Sequence, residues 1–217
     1  MKKTLLASLV AAATLVSGYA QAEWSANVAA TSNYLWRGIE QTGGDAAVSG
    51  GIDYAAESGF YAGTWVSNAT WGEDMTYEMD LYAGFGGEVS GIGYDVGYIY
   101  YAYPDESTGD ADFSEVYLNL SKGGFTFGVA VLASASGDNS SFGDSLYVSA
   151  DYAFTVGKET ELGLHVGSYS GDWLAEDTVD VGFTVSKSGF TFGLSKINAD
   201  AGDDVKAYVS YGLDFEL

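Results

Sequence analysis

The sequence has no cysteine, one proline, one histidine and only eight basic residues among 217. Without cysteine there is no disulfide framework and no thiolate metal site, so stability must come from burial and hydrogen bonding. Eight Lys and Arg against 30 Asp and Glu exclude the basic clusters that phosphate binding needs, and with them a nucleic-acid partner. Beyond residue 22 no apolar pattern has the 3.6-residue helical period, which excludes a helical fold. The 30 glycines follow no three-residue period, so collagen is excluded, and with the single Pro104 they fit many short strands joined by tight turns.

What is present points to an exported, ordered chain. Residues 1–22 read as a signal peptide: Lys2 and Lys3 form the charged start, Leu5 to Val16 the apolar stretch and Ala20-Gln21-Ala22 a small-residue cleavage site. Removal leaves residues 23–217, with six basic residues against all 30 acids, a formal charge of about −24. An apolar fraction of 47%, with 15% aromatics, is too high for a disordered acidic chain.

Strict two-fold alternation recurs along this segment. At the C-terminus Val205, Ala207, Val209, Tyr211, Leu213, Phe215 and Leu217 take one face, and Lys206, Tyr208, Ser210, Gly212, Asp214 and Glu216 the other. The same split separates Tyr77, Met79, Leu81, Ala83 and Phe85 from Glu78, Asp80, Tyr82, Gly84 and Gly86. Short connections near residues 58, 90, 122, 157 and 188 alternate with six longer ones, at 37–46, 71–76, 104–112, 136–144, 170–177 and 199–204. Five turns and six loops separate twelve strands in a hairpin repeat of about 32 residues. The expected fold is therefore all-β: a single antiparallel transmembrane barrel of about twelve strands over 23–217, with both termini on the short-turn, periplasmic side. Each strand approaches the length that a tilted membrane strand requires.

Aromatics mark the expected membrane interfaces. Phe60, Phe125 and Phe190 directly follow short turns, and Tyr98, Tyr100, Tyr101 and Tyr103 crowd before an outer loop. The tetrapeptide Phe-Thr-Phe-Gly, at 125–128 and 190–193, then opens the seventh and eleventh strands, its phenylalanines toward lipid. A soluble β-sandwich also alternates, but it gives no reason for two classes of connection in strict alternation. The ending Tyr211, Leu213, Phe215, Leu217 matches the strand that such barrels present to the barrel-assembly machinery, with Leu in place of the usual Phe.

Three stretches carry a family resemblance: SNYLWRGIEQTGGDAAVSGGIDYAAESGFYAGTWVSN from Ser32 to Asn68, YEMDLYAGFGG from Tyr77 to Gly87 and GYDVGYIYYAYP from Gly93 to Pro104. They resemble the TorF-type porin family of proteobacteria. That resemblance implies a barrel in the outer membrane of a Gram-negative bacterium, among lipid and lipopolysaccharide, and suggests a channel. It brings no catalytic residue and no cofactor.

The inward face carries the functional expectation. Asp53, Glu78, Asp80, Asp95, Glu115, Asp151, Glu161, Asp180 and Asp214 point inward by alternation, opposed by Lys206 and Arg37, with His165 beside them. Unpaired ions cannot be buried dry, so these residues predict a wet, pore-lining wall that favours cations or neutral solutes. The alternative is a non-conducting structural or surface-interaction barrel, its acids in hydrogen-bonded networks with Tyr82, Tyr117 and Tyr147. No long connection exceeds ten residues, so none is expected to fold into a plug, and inward glycines such as Gly84, Gly97, Gly167 and Gly193 leave room for water or serve strand curvature. The outer loops hold 16 of the 30 acids, a solvated acidic rim rather than an ordered Ca²⁺ loop. His165, with Ser149 and Asp151 on the preceding strand, is the one set resembling a hydrolytic triad, and a wall residue of a polar lumen is the expected role.

Overall fold

The computed structural model describes residues 22–72, 74–136, 141–171, 177–199 and 202–217. The expected barrel is present, whereas the expected signal segment, residues 1–21, lies outside the described residues.

Twelve strands close the barrel: β1 (Glu23–Thr31), β4 (Ala47–Ala55), β5 (Phe60–Asn68), β6 (Tyr77–Val89), β7 (Ile92–Ala102), β8 (Phe113–Lys122), β9 (Phe125–Ala135), β10 (Ser145–Val156), β11 (Thr160–Gly171), β12 (Thr178–Lys187), β13 (Phe190–Ile197) and β14 (Lys206–Glu216). Neighbours pair antiparallel in chain order, and β1 closes the ring by pairing with both β4 and β14. Closure leaves no strand edge, the condition for a β-structure in lipid. Between β1 and β4 lies a miniature hairpin, β2 (Leu35–Trp36) and β3 (Ile39–Glu40).

Turn chemistry explains the hairpins. Ser90-Gly91, Gly123-Gly124 and Ser188-Gly189 are two-residue connections with positive φ at both positions, the mark of the type I′ turn, whose twist matches paired strands. Gly124 is held there twice over: its φ is +90°, and a Cβ would stand 2.6 Å from the Ala153 carbonyl oxygen.

Burial follows the alternation. Val28, Ile52, Leu81, Phe127, Leu164 and Leu213 are exposed on the outer face, and nearly every strand contributes such residues. An apolar surface wrapping the whole circumference belongs against lipid rather than water. The expected girdle on the short-turn side forms as cross-strand pairs: Trp24–Tyr54, Phe60–Phe85, Phe125–Tyr152 and Phe190–Tyr211, with ring centroids 4.4–5.4 Å apart. Both Phe-Thr-Phe-Gly copies turn their phenylalanines outward, in β9 and β13. Tyr101 and Tyr103 do not join the outer-loop girdle. Strand parity places them opposite to the outward Tyr98, and both are 5% exposed inside the barrel.

Candidate functional site

The first long connection runs from Ser32 to Ala46, longer than the sequence suggested because β1 ends at Thr31. It overturns the expectation that no loop forms a plug. Its hairpin turns inward, placing Tyr34, Trp36 and Arg37 among buried residues of the barrel wall. The turn is Arg37-Gly38, with φ of +50° and +81°, a type I′ pattern in miniature. Its tip meets the wall at β12 and β13, where a Cβ on Gly38 would lie 3.1 Å from the Cβ atoms of Asp180 and Ile197.

Apolar contacts and hydrogen bonds fasten the rest of the loop. Tyr34 packs edge-on to Trp65 and donates to Glu78 Oε1 at 3.1 Å. Asn33 Nδ2 donates to Glu40 Oε1 at 2.7 Å, and the Thr70 amide donates to the Gln41 carbonyl at 2.7 Å. Trp36 meets Phe113 and Tyr101 edge-on, and those two rings stack at 4.3 Å.

Arg37 is the centre of this arrangement. Its Nη1 and Nη2 donate to Glu115 Oε1 and Oε2 at 2.8 and 2.7 Å, a bidentate fork with both side chains 6% exposed. The guanidinium carbon lies over the Trp36 ring, 4.3 Å from its centroid, and over the Tyr147 ring, 4.1 Å from its centroid. Among the described residues, the strand registers shift at one place, Ser114/Glu115 against β9. There Phe113, Ser114 and Glu115 are buried in succession, a bulge at the residue that receives the loop.

Beside this pair lies a second network. His165 Nδ1 stands 2.7 Å from Asp151 Oδ1 and its Nε2 stands 2.8 Å from Asp180 Oδ2. Tyr147 Oη donates to Asp180 Oδ1 at 3.0 Å and lies 3.0 Å from His165 Nε2. Both ring nitrogens therefore face carboxylates, which gives His165 the place of a wall residue. The set with Ser149 is not assembled as a triad, since the nitrogen that would serve a serine faces Asp180.

Toward the short turns, tyrosines cap the remaining acids. Tyr82 Oη donates to Asp53 Oδ1 at 2.5 Å and Asn27 Nδ2 to Asp53 Oδ2 at 3.4 Å. Tyr61 Oη donates to Asp95 Oδ1 at 2.5 Å and also meets Tyr117 Oη. Asp214 is exposed on β14 opposite Asn27, and Glu161 is half-buried opposite Ser186. Lys206 stands apart, donating to the Gly202 carbonyl in the last loop at 2.8 Å. Glu78 and Asp80 are 1% and 4% exposed, and Glu78 Oε2 and Asp80 Oδ1 have no hydrogen-bond partner among the described residues.

Two expectations about this face change. The inward acids are not simply unpaired: Glu115, Asp151 and Asp180 meet Arg37 or His165, and Asp53 and Asp95 meet tyrosines. Nor do the inward glycines simply leave room for water. Gly63, Gly84, Gly97 and Gly193 lie directly across from Tyr82, Tyr61, Tyr117 and Tyr208 in the strand registers. A Cβ on Gly97 would be 2.6 Å from Tyr117 Cζ and 2.9 Å from Tyr61 Oη, so the ring occupies the space that the missing side chain vacates. These pairs lie between strands joined by the longer loops, β5–β6, β7–β8 and β13–β14, so counting residues outward from the two-residue turns does not by itself find them.

In the acidic outer loops, Asp105 accepts hydrogen bonds from the Thr76 amide at 3.0 Å and from its hydroxyl. Glu106 Oε1 accepts from the Thr108 amide and hydroxyl at 2.8 and 2.7 Å. These bonds hold both carboxyls below their ordinary range. Residues 137–140 and 200–201 of the other acidic stretches lie outside the described residues.

A closed twelve-strand antiparallel barrel with a continuous apolar exterior and a polar interior defines the outer-membrane β-barrel class. Within that class, the chain belongs to the bacterial family of unknown function designated Gcw_chp, whose model matches residues 14–215. No curated protein matches its sequence. Solved structures do resemble it in fold. A KdgM porin superposes with a TM-score of 0.56 at 9% identity over 89% of this chain and 99% of that one. The KdgM porin in complex with disordered oligogalacturonate gives 0.55 at 10% identity over the same shares. A structure from work on in-meso crystallization of membrane proteins gives 0.57 at 12% identity over 90% and 84%.

Proposed function

We propose that the protein is a porin-type channel of the Gram-negative outer membrane, as the TorF-type resemblance suggests, passing small cationic or neutral solutes through a lumen narrowed by the 32–46 loop. Residues 1–22 would direct export and be removed, and the barrel-assembly machinery would receive the C-terminal strand. Lipid would meet the apolar belt, with lipopolysaccharide around the acidic loops.

The observation that carries this reading is the charge balance of the interior. Asp53, Asp95, Glu161 and Asp214 have no cationic partner among the described residues and retain solvent access. A one-signed wall in a confined passage raises the local concentration of cations. The same wall would repel a polyanion such as the oligogalacturonate bound by the KdgM porin, so the fold likeness does not extend to that solute.

Planar-bilayer recording tests the proposal: discrete steps with reversal potentials toward the cation equilibrium are expected, and chloride-favouring potentials would overturn the selectivity. A second reading, a non-conducting structural or surface-interaction barrel, is favoured by the aromatic cluster of Tyr34, Trp36, Tyr101 and Phe113, which fills interior space around the loop. Silence of both the wild-type protein and a loop-shortened variant at all voltages would decide for it.

A further inference from the structure

Every group that holds the Arg37 side chain, apart from Trp36, belongs to the barrel wall. Glu115 comes from β8 and supplies the carboxylate fork, and Tyr147 from β10 supplies a ring face. The Tyr169 ring from β11 is centred 5.9 Å from the guanidinium carbon, and Tyr101 from β7 donates to Glu115 Oε2 at 3.4 Å. These groups have their own supports: the Tyr147 hydroxyl bonds Asp180, and Tyr101 stacks on Phe113. The receptor is thus assembled by strand pairing, independently of the loop.

The loop side is different. Its tip is a two-residue turn between strands of two residues each, with Arg37 in a left-handed conformation that a non-glycine residue seldom adopts. A strained backbone carrying a well-held side chain suggests that the side chain keeps the loop in place rather than the reverse.

We propose that Glu115, Tyr147, Tyr169 and Tyr101 form a binding site for planar guanidinium cations, and that Arg37 is its tethered occupant in the narrowed state. A carboxylate fork matched to two parallel N–H donors, beside an aromatic face, selects a planar guanidinium over an ammonium of equal charge. A guanidinium-bearing solute competes with Arg37 for the fork, and its entry releases the loop tip. The tether gives Arg37 an effective concentration in the millimolar range, so millimolar solute is needed to compete. The inference rests on the channel reading for the solute's route, whereas the site is testable without conduction.

The test uses the full barrel in detergent micelles, with methylguanidinium as probe and methylammonium as control. Folding is confirmed by heat-dependent electrophoretic mobility. Arg37→Gly, which suits the left-handed turn, should bind methylguanidinium saturably at submillimolar concentration, with a rise in Tm, and at least about tenfold more tightly than methylammonium. Wild type should bind the probe at least about tenfold more weakly than Arg37→Gly. Adding Glu115→Gln should abolish binding. If Arg37→Gly does not fold, a variant with residues 33–41 replaced by a Gly-Ser linker vacates the same site and carries the same expectations. Equal binding of the two cations, no binding by the vacated variant, or indifference to Glu115→Gln would overturn the proposal. Because no readout here is a current, a barrel that binds but never conducts would refute the channel reading alone.

Discussion

At the level of single residues, the Arg37–Glu115 pair and the tyrosine–glycine pairs carry most of the interior's specificity. Removing one member of a buried ion pair leaves an uncompensated charge, a loss of about 3–5 kcal/mol. Glu115→Ala should therefore destabilise the barrel strongly in urea titrations from lipid vesicles, and Arg37→Ala with Glu115→Ala should cost less than the sum of the two. Strict additivity would show that the fork contributes nothing. Gly97→Ala probes the other motif. Its added methyl meets the Tyr117 ring, and overpacking of this kind costs about 1–3 kcal/mol. An unchanged urea midpoint would mean that the ring can move aside freely. The inward acids were legible from alternation, but their partners were not. Parity says which face a side chain takes, and says nothing about which distant strand it meets across the lumen, as Arg37 meets Glu115 over 78 residues of sequence.

Among the elements, strands and short turns follow from local rules, and the loops do not. Twelve strands, the outward phenylalanines of β9 and β13 and the position of every short turn could be read from periodicity and glycine placement, because each depends on residues within one hairpin. The inward course of residues 32–46 depends on surfaces contributed by β6, β7, β8 and β10, and no local pattern signals it. Tyr101 is a different case: it sits in an aromatic crowd that resembles a girdle, but strand parity, a local rule, already turns it inward. The loop at 103–112 offers a pH test. Hydrogen bonds from Thr76 and Thr108 depress the carboxyls of Asp105 and Glu106. Their contribution is therefore complete above the ordinary carboxylate range near pH 4 and fades as pH falls through the lower folded values. The amide resonances of Thr76 and Thr108 should titrate with midpoints below those of free Asp and Glu, and ordinary midpoints would show that these bonds do not persist in solution.

For the molecule as a whole, an apolar outside and an acidic, aromatic inside reconcile a formal charge of −22 with residence in lipid. The acids gather in the loops and inside the wall, and the outward strand positions between carry none. Replacing residues 33–41 with a short linker should raise single-channel conductance while preserving cation preference, because the acids of β4, β6 and β7 remain. Unchanged conductance would place the narrowest point elsewhere. The fold also sets an order of events. β1 pairs with β14 as well as β4, so the ring cannot close until the last residues of the chain are available. Contacts so distant in sequence make closure a slow step. Arg37 follows β1 immediately, whereas Glu115, Tyr147 and Tyr169 arrive much later in synthesis. The occupant is therefore made well before its socket, and the barrel must either wrap around a hairpin already waiting on the inner side or admit it afterwards through the open loop end.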